Sequence, residues 1–86
     1  MNFYLMTNDK FNKIICQRIS SLRKEKGLNI EQLAYQSGIS KGGLSEIERN
    51  LKEPRLFTIL KICAALDISM EYFFSFENIE NFRNSI

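Results

Sequence analysis

Residues 37–40 read Ser-Gly-Ile-Ser and separate two short stretches of helical periodicity. Before them, Leu33 and Ala34 mark one apolar helix edge; after them, Leu44 and Ile47 mark another. Gly38 stops the first stretch, because glycine enters the left-handed region that ends helices without a Cβ penalty. Ser40 starts the second, since a serine hydroxyl accepts an orphan N–H of a new first turn. Ile39 is left alone between them, an apolar plug in a turn too short to hide it elsewhere. Two helices joined this tightly must cross steeply and share one buried seam.

The rest of the chain supplies partners for that seam. Phe11, Ile14, Ile15, Ile19 and Leu22 recur at helical spacing and predict a first helix over about 10–26, closed by Gly27. Asn29 and Gln32 form a capping-box pair at the head of the second helix, 30–37. The third helix spans 41–49. A fourth follows Pro54 over about 55–66, with Leu56, Ile59, Leu60, Cys63 and Leu66 as its expected inner face. Ser69 caps a fifth over about 70–75, and Phe76, Ile79, Phe82 and Ile86 place a narrow apolar stripe on the tail, enough for a further short helix. No strand pattern competes. The expected fold is all-α, a compact five-helix bundle forming one domain over residues 1–86.

Composition removes several functions. The chain has no histidine and only two cysteines, Cys16 and Cys63, which are not paired as CxxC. A zinc site or a histidine-activated nucleophile therefore lacks raw material. No enzyme activity, metal or cofactor is expected. Lys61 interrupts the longest apolar run, so no membrane span is expected, and the first ten residues lack the basic start and cleavage site of a secretory signal. The cytoplasm is the expected location. Charge is unevenly spread: residues 1–66 carry eleven Lys/Arg against six Asp/Glu, while residues 67–86 carry one against four. A basic body with an acidic tail points to a polyanionic partner for the body.

Ala34, Gly38, Ile39, Leu44 and Ile47 together match the helix-turn-helix arrangement, with motif limits of about 29–49. The segment "IEQLAYQSGISKGGLSEIERN" resembles the lambda-repressor-like (Cro-type, XRE) family of DNA-binding regulators. The similarity runs from about Lys13 to Phe74 and takes in "RKEKGLNIEQLA" and "EPRLFTILKICAALDISMEYFF". Among small members, the form is similar to phage-type repressors and restriction–modification controller proteins. The resemblance implies a transcriptional regulator that binds double-stranded DNA with helix 41–49 in the major groove.

On that resemblance, Lys41, Gly42, Ser45 and Glu46 occupy the base-reading positions. Lys41 suits guanine O6 and N7; Glu46 either accepts from cytosine N4 or stands as a solvated charge. Ser40, Arg49, Lys52 and Arg55 are the expected phosphate contacts, with Arg55 implied to reach toward the minor groove. The family also implies that Glu48 pairs with Arg23 as a structural ion pair. Two features depart from the pattern. Ile30 stands where many members have a phosphate-binding glutamine, and Gly42 and Gly43 replace larger side chains. The glycines either let the backbone approach DNA closely or merely loosen the first turn.

Family members bind near-palindromes as dimers. Tyr72, Phe76, Ile79 and Phe82 are the expected homodimer surface, so residues 67–86 are expected to contribute to dimerisation. RNA polymerase would be a further partner of an activator, and no residue here marks it. The alternative to a DNA-binding regulator is a protein-interaction module, an antitoxin or accessory subunit using the same fold.

Overall fold

A computed structural model describes residues 7–76, which form five helices: α1 (Asn8–Glu25), α2 (Ile30–Ser37), α3 (Lys41–Glu48), α4 (Leu56–Ala65) and α5 (Met70–Phe73). Among the described residues there is no strand. Four of the five starts use a side-chain cap. Thr7, Asn29, Ser40 and Ser69 accept the N–H of Lys10, Gln32, Gly43 and Tyr72 respectively. At α2 the Gln32 side chain also accepts the Asn29 N–H at 2.8 Å, completing the capping box. Replacing such a cap by alanine typically costs about 1 kcal/mol. α4 begins at Arg55 with no side-chain cap; Pro54 stands just before it.

The ends are as regular as the starts. After each of α1 to α4 one residue turns left-handed: Gly27 (φ 73°), Gly38 (φ 70°), Asn50 (φ 59°) and Asp67 (φ 56°). The residue that follows then donates back five positions, Leu28 to Arg23, Ile39 to Ala34, Leu51 to Glu46 and Ile68 to Cys63, at 2.9–3.1 Å. This is the Schellman stop, which satisfies the last orphan carbonyls of a helix. Glycine marks two of these stops in the sequence. Asparagine and aspartate make the other two and were not legible there as stops.

The core closes around Ile19, Leu33, Leu44, Ile62 and Phe73, none of which retains exposed surface. α2 packs on α3 and α4, α3 on α1, and α5 on α4. The inner face of α4 differs from expectation. Ile59, Ile62, Cys63 and Leu66 are buried, whereas Leu56 and Leu60 are 69% and 46% exposed. Nearly every residue from 56 to 66 is apolar, so periodicity could not choose among faces; packing against α2 and α5 does. Leu56, Phe57 and Leu60 are left as an apolar stripe facing out.

α5 is only four residues long, shorter than expected, and Arg18 of α1 holds its end. Arg18 Nε donates to the Phe73 carbonyl at 2.8 Å and Nη2 to the Tyr72 carbonyl at 2.9 Å. The same guanidinium lies 5.3 Å from the Tyr72 ring centre and 5.4 Å from that of Phe76. A cation at a helix C-terminus favours its exposed carbonyls, and the two rings add cation–π attraction. Tyr72 is half-exposed and Phe76 is partly buried against the core. Ile79 and Phe82, like the proposed tail helix, lie outside the described residues.

Replacing Arg18 by alanine is expected to destabilise the chain by about 1–2 kcal/mol, with the charged hydrogen bonds discounted for partial exposure. Thermal unfolding should then show Tm lower by roughly 5–15 °C. An unchanged Tm would mean that α5 docks without this anchor.

Candidate nucleic-acid interface

α3 turns Leu44 and Ile47 into the core and leaves Lys41, Gly42 and Glu46 exposed, with Ser45 half-buried beside them. The four residues assigned to base reading thus share one outward side of α3. Lys41 Nζ lies 3.4 Å from Glu31 Oε2 of α2, and both side chains are more than two-thirds exposed. A surface pair of this kind is worth roughly 0–1 kcal/mol, so Lys41 can swing away at little cost. The Glu46 side chain has no hydrogen bond or ion pair among the described residues.

The adjacent glycines are not equivalent. A Cβ built on Gly43 would stand 2.8 Å from the Ser40 hydroxyl oxygen. That oxygen already accepts the Gly43 N–H at 3.0 Å, so a side chain at 43 would press on the cap of α3. A Cβ on Gly42 would meet nothing within 4 Å. Packing inside the chain explains Gly43 and leaves Gly42 without an internal reason.

Beside α3 runs a cleft lined by Ser40, Gly43, Lys52, Arg55, Thr58 and Lys61, with Ile39, Ile47 and Pro54 as its floor. Its one carboxylate, Glu53, accepts a hydrogen bond from Asn8 at 3.3 Å. Arg49, Lys52 and Arg55 are exposed, and their side chains have no hydrogen bond or ion pair among the described residues. Lys61 lies over the Phe57 ring at 5.6 Å, which leaves its ammonium hydrogens available to an anion. Ser40 spends an oxygen lone pair on the cap but keeps its O–H as a donor. The geometry therefore joins Ser40, Lys52 and Arg55 along one edge of α3 and adds Lys61. Sequence reading did not place Lys61 beside these residues; it lines the same cleft. The available signal was Thr58 and Lys61, polar residues three apart on an otherwise apolar helix.

α3 is held from behind by Arg23 and Glu48. Arg23 Nε lies 2.8 Å from Glu48 Oε2 and Nη2 lies 3.0 Å from Oε1, a bidentate pair with side chains 11% and 5% exposed. Arg23 Nη1 also donates to the Leu28 carbonyl at 2.7 Å, so one guanidinium joins α1, the α1–α2 turn and α3. Both cysteines are buried, and burial pushes their thiols above the ordinary range; at Cys16 the charges of Glu48 and Glu53 push the same way. They hold their protons at neutral pH and act as core residues. Among the described residues no group of three or more His, Cys, Asp or Glu side chains is placed to hold a metal, and no helix is long and apolar enough to cross a membrane.

Comparison with known proteins bears on the same elements. The family profile described as helix-turn-helix matches residues 19–73, well over half of the chain. The HTH-type transcriptional regulator SinR of Bacillus subtilis (strain 168) is 45% identical over 58 residues, covering 66% of this chain and 52% of SinR. An immunity repressor protein of Bacillus phage phi105 is 39% identical over 54 residues, covering 63% of this chain and 38% of its own length. The chain spans about half the length or less of these curated relatives. Among solved structures, the restriction-modification controller protein C.AhdI from Aeromonas hydrophila superposes with a TM-score of 0.70 at 36% identity. That match covers 73% of this chain and 96% of the controller.

Glu48→Ala strands a buried guanidinium and is expected to cost about 3–5 kcal/mol, whereas replacing Arg23 and Glu48 together by Met and Leu should cost far less. Urea unfolding of the single and double variants measures this. Equal losses would mean that the two side chains do not act as a unit.

Proposed function

The chain belongs to the helix-turn-helix family, and from that membership we propose that it is a sequence-specific transcriptional regulator that binds double-stranded DNA. The observation that carries this reading is the basic cleft edged by Lys52, Arg55 and Lys61, which meets α3 at Ser40, Gly43 and Ile47, beside its outward side. Lys52 and Arg55, exposed and with no side-chain partner among the described residues, beside a helix that has turned its apolar residues inward, suit a phosphate backbone with α3 in the major groove. Lys41, Gly42, Ser45 and Glu46 read base edges in this proposal. Ser40, Arg49, Lys52 and Arg55 bind phosphates, with Arg55 reaching toward the minor groove. Gly42, which nothing inside the chain requires, gives the helix backbone room to approach the groove.

The protein acts as a homodimer on a near-palindrome. The described surface supports a second copy most strongly at the Leu56, Phe57 and Leu60 stripe of α4, because exposed apolar patches mark interaction sites. Tyr72, as exposed as Leu60, extends the proposed surface together with the expected Phe76, whose ring Arg18 and the core also engage. Near-full coverage of a controller protein supports a role of that kind, and likeness to a phage immunity repressor supports repression.

Selection from a random duplex library should enrich an inverted repeat with half-sites about 34–36 Å apart or a multiple of that. Lys52→Ala and Arg55→Ala should each weaken binding and flatten the dependence of log K on log salt by about 0.9. Leu60→Glu should convert dimer to monomer in sedimentation. Absence of binding to any duplex would overturn the reading and favour a protein partner on the α4 stripe. A separate outcome is expected for Gly42→Ala: a helix more stable by about 0.5–1 kcal/mol, with weaker operator binding. Tighter binding with unchanged sequence preference would remove the role given to Gly42.

A further inference from the structure

The first turns of α1 reach across to the loop between α3 and α4 through two side-chain bonds. Asn12 Nδ2 donates to Asn50 Oδ1 at 2.7 Å, and Asn8 Nδ2 donates to Glu53 Oε2 at 3.3 Å. Their acceptors lie on either side of Lys52 in the sequence, so the segment that carries Lys52 is fastened at both ends. Asn50 is also the left-handed stop of α3, with φ 59°. Glycine would take that conformation with less strain, as Gly27 and Gly38 do at the stops of α1 and α2. What asparagine supplies at position 50, and glycine cannot, is the acceptor for Asn12.

We infer that Asn12 is a positioning residue for DNA binding, acting through Asn50 to hold Lys52 where a phosphate can meet it. The inference rests on the DNA-binding reading above. A loop already ordered before binding does not lose that backbone freedom when the complex forms. The bond to Asn8 has a second effect: it engages Glu53, the one carboxylate lining the basic cleft, on the α1 side. Neither asparagine of α1 belongs to the helix-turn-helix pair, and neither is basic, so charge and motif alone would pass over both.

The test measures operator affinity of the full chain as a function of salt, for wild type, Asn12→Ala, Asn50→Gly, Lys52→Ala and Asn12→Ala combined with Lys52→Ala. Asn12→Ala is expected to weaken binding roughly five- to tenfold, because the loosened segment no longer holds Lys52 on its phosphate. It should also flatten the salt dependence by close to the 0.9 of one lost phosphate contact. Asn50→Gly keeps the left-handed turn and loses the acceptor. It should reproduce both effects with Tm nearly unchanged, and it carries the test if Asn12→Ala folds poorly. In the Lys52→Ala background, Asn12→Ala should cause no further loss. Unchanged affinity and salt slope in both asparagine variants would overturn the inference while leaving the DNA-binding reading intact. Full additivity with Lys52→Ala would also overturn it. If the wild-type chain binds no DNA, both fall together.

Discussion

The placement of α3 depends on one buried guanidinium. α3 is eight residues long, too short to persist as a helix outside a protein. Two buried side chains, Leu44 and Ile47, fix how deep it sits but leave it free to roll about their line. The fork of Arg23 removes that freedom, because a bidentate pair fixes both distance and plane. Its third donor reaches the Leu28 carbonyl, so the turn that leads into α2 is set by the same side chain. The whole helix-turn-helix is thereby registered against α1. An apolar pair of similar volume could match the stability of such a bridge; it would not supply the same directional register.

Much of this arrangement is written in the sequence as chemistry that has only one local use. Asn29 with Gln32, Gly38, Ser40 and Ser69 each announce a helix boundary, and the structure uses each one that way. Other features are silent for definite reasons. Asn50 and Asp67 stop helices in the manner of glycine, but both residue types also serve in caps, turns and exposed faces, so their presence does not announce a left-handed backbone. α4 is apolar nearly all round, so its sequence could not say which side would be buried. Arg18 reads as one more cation on a basic helix; its role exists only once the end of α5 arrives beside it.

α4 shows how a short helix can carry three assignments at once. Ile59, Ile62 and Cys63 close the core; Thr58 and Lys61 line the basic cleft; Leu56, Phe57 and Leu60 stay exposed, with Phe57 under Lys61. With few positions left over, a substitution on α4 changes packing, the charged edge or the outer stripe. The paired glycines of α3 divide differently. Gly43 accommodates the cap formed by Ser40, and Gly42 accommodates nothing among the described residues. Adjacent identical residues thus differ in what a side chain would meet inside the molecule.

The lock between Arg18 and the end of α5 has a kinetic consequence. It joins residues 55 apart in sequence, whereas the Arg23–Glu48 pair joins residues 25 apart. Closing the longer loop costs more chain entropy, and α5 itself is only four residues long. On this ground α5 is expected to seat after the first three helices and to release before them. Phe73, fully buried at that joint, should therefore have an amide that exchanges with solvent sooner than that of Ile19 or Leu44, although all three side chains are equally hidden. Native-state hydrogen exchange would report that order directly.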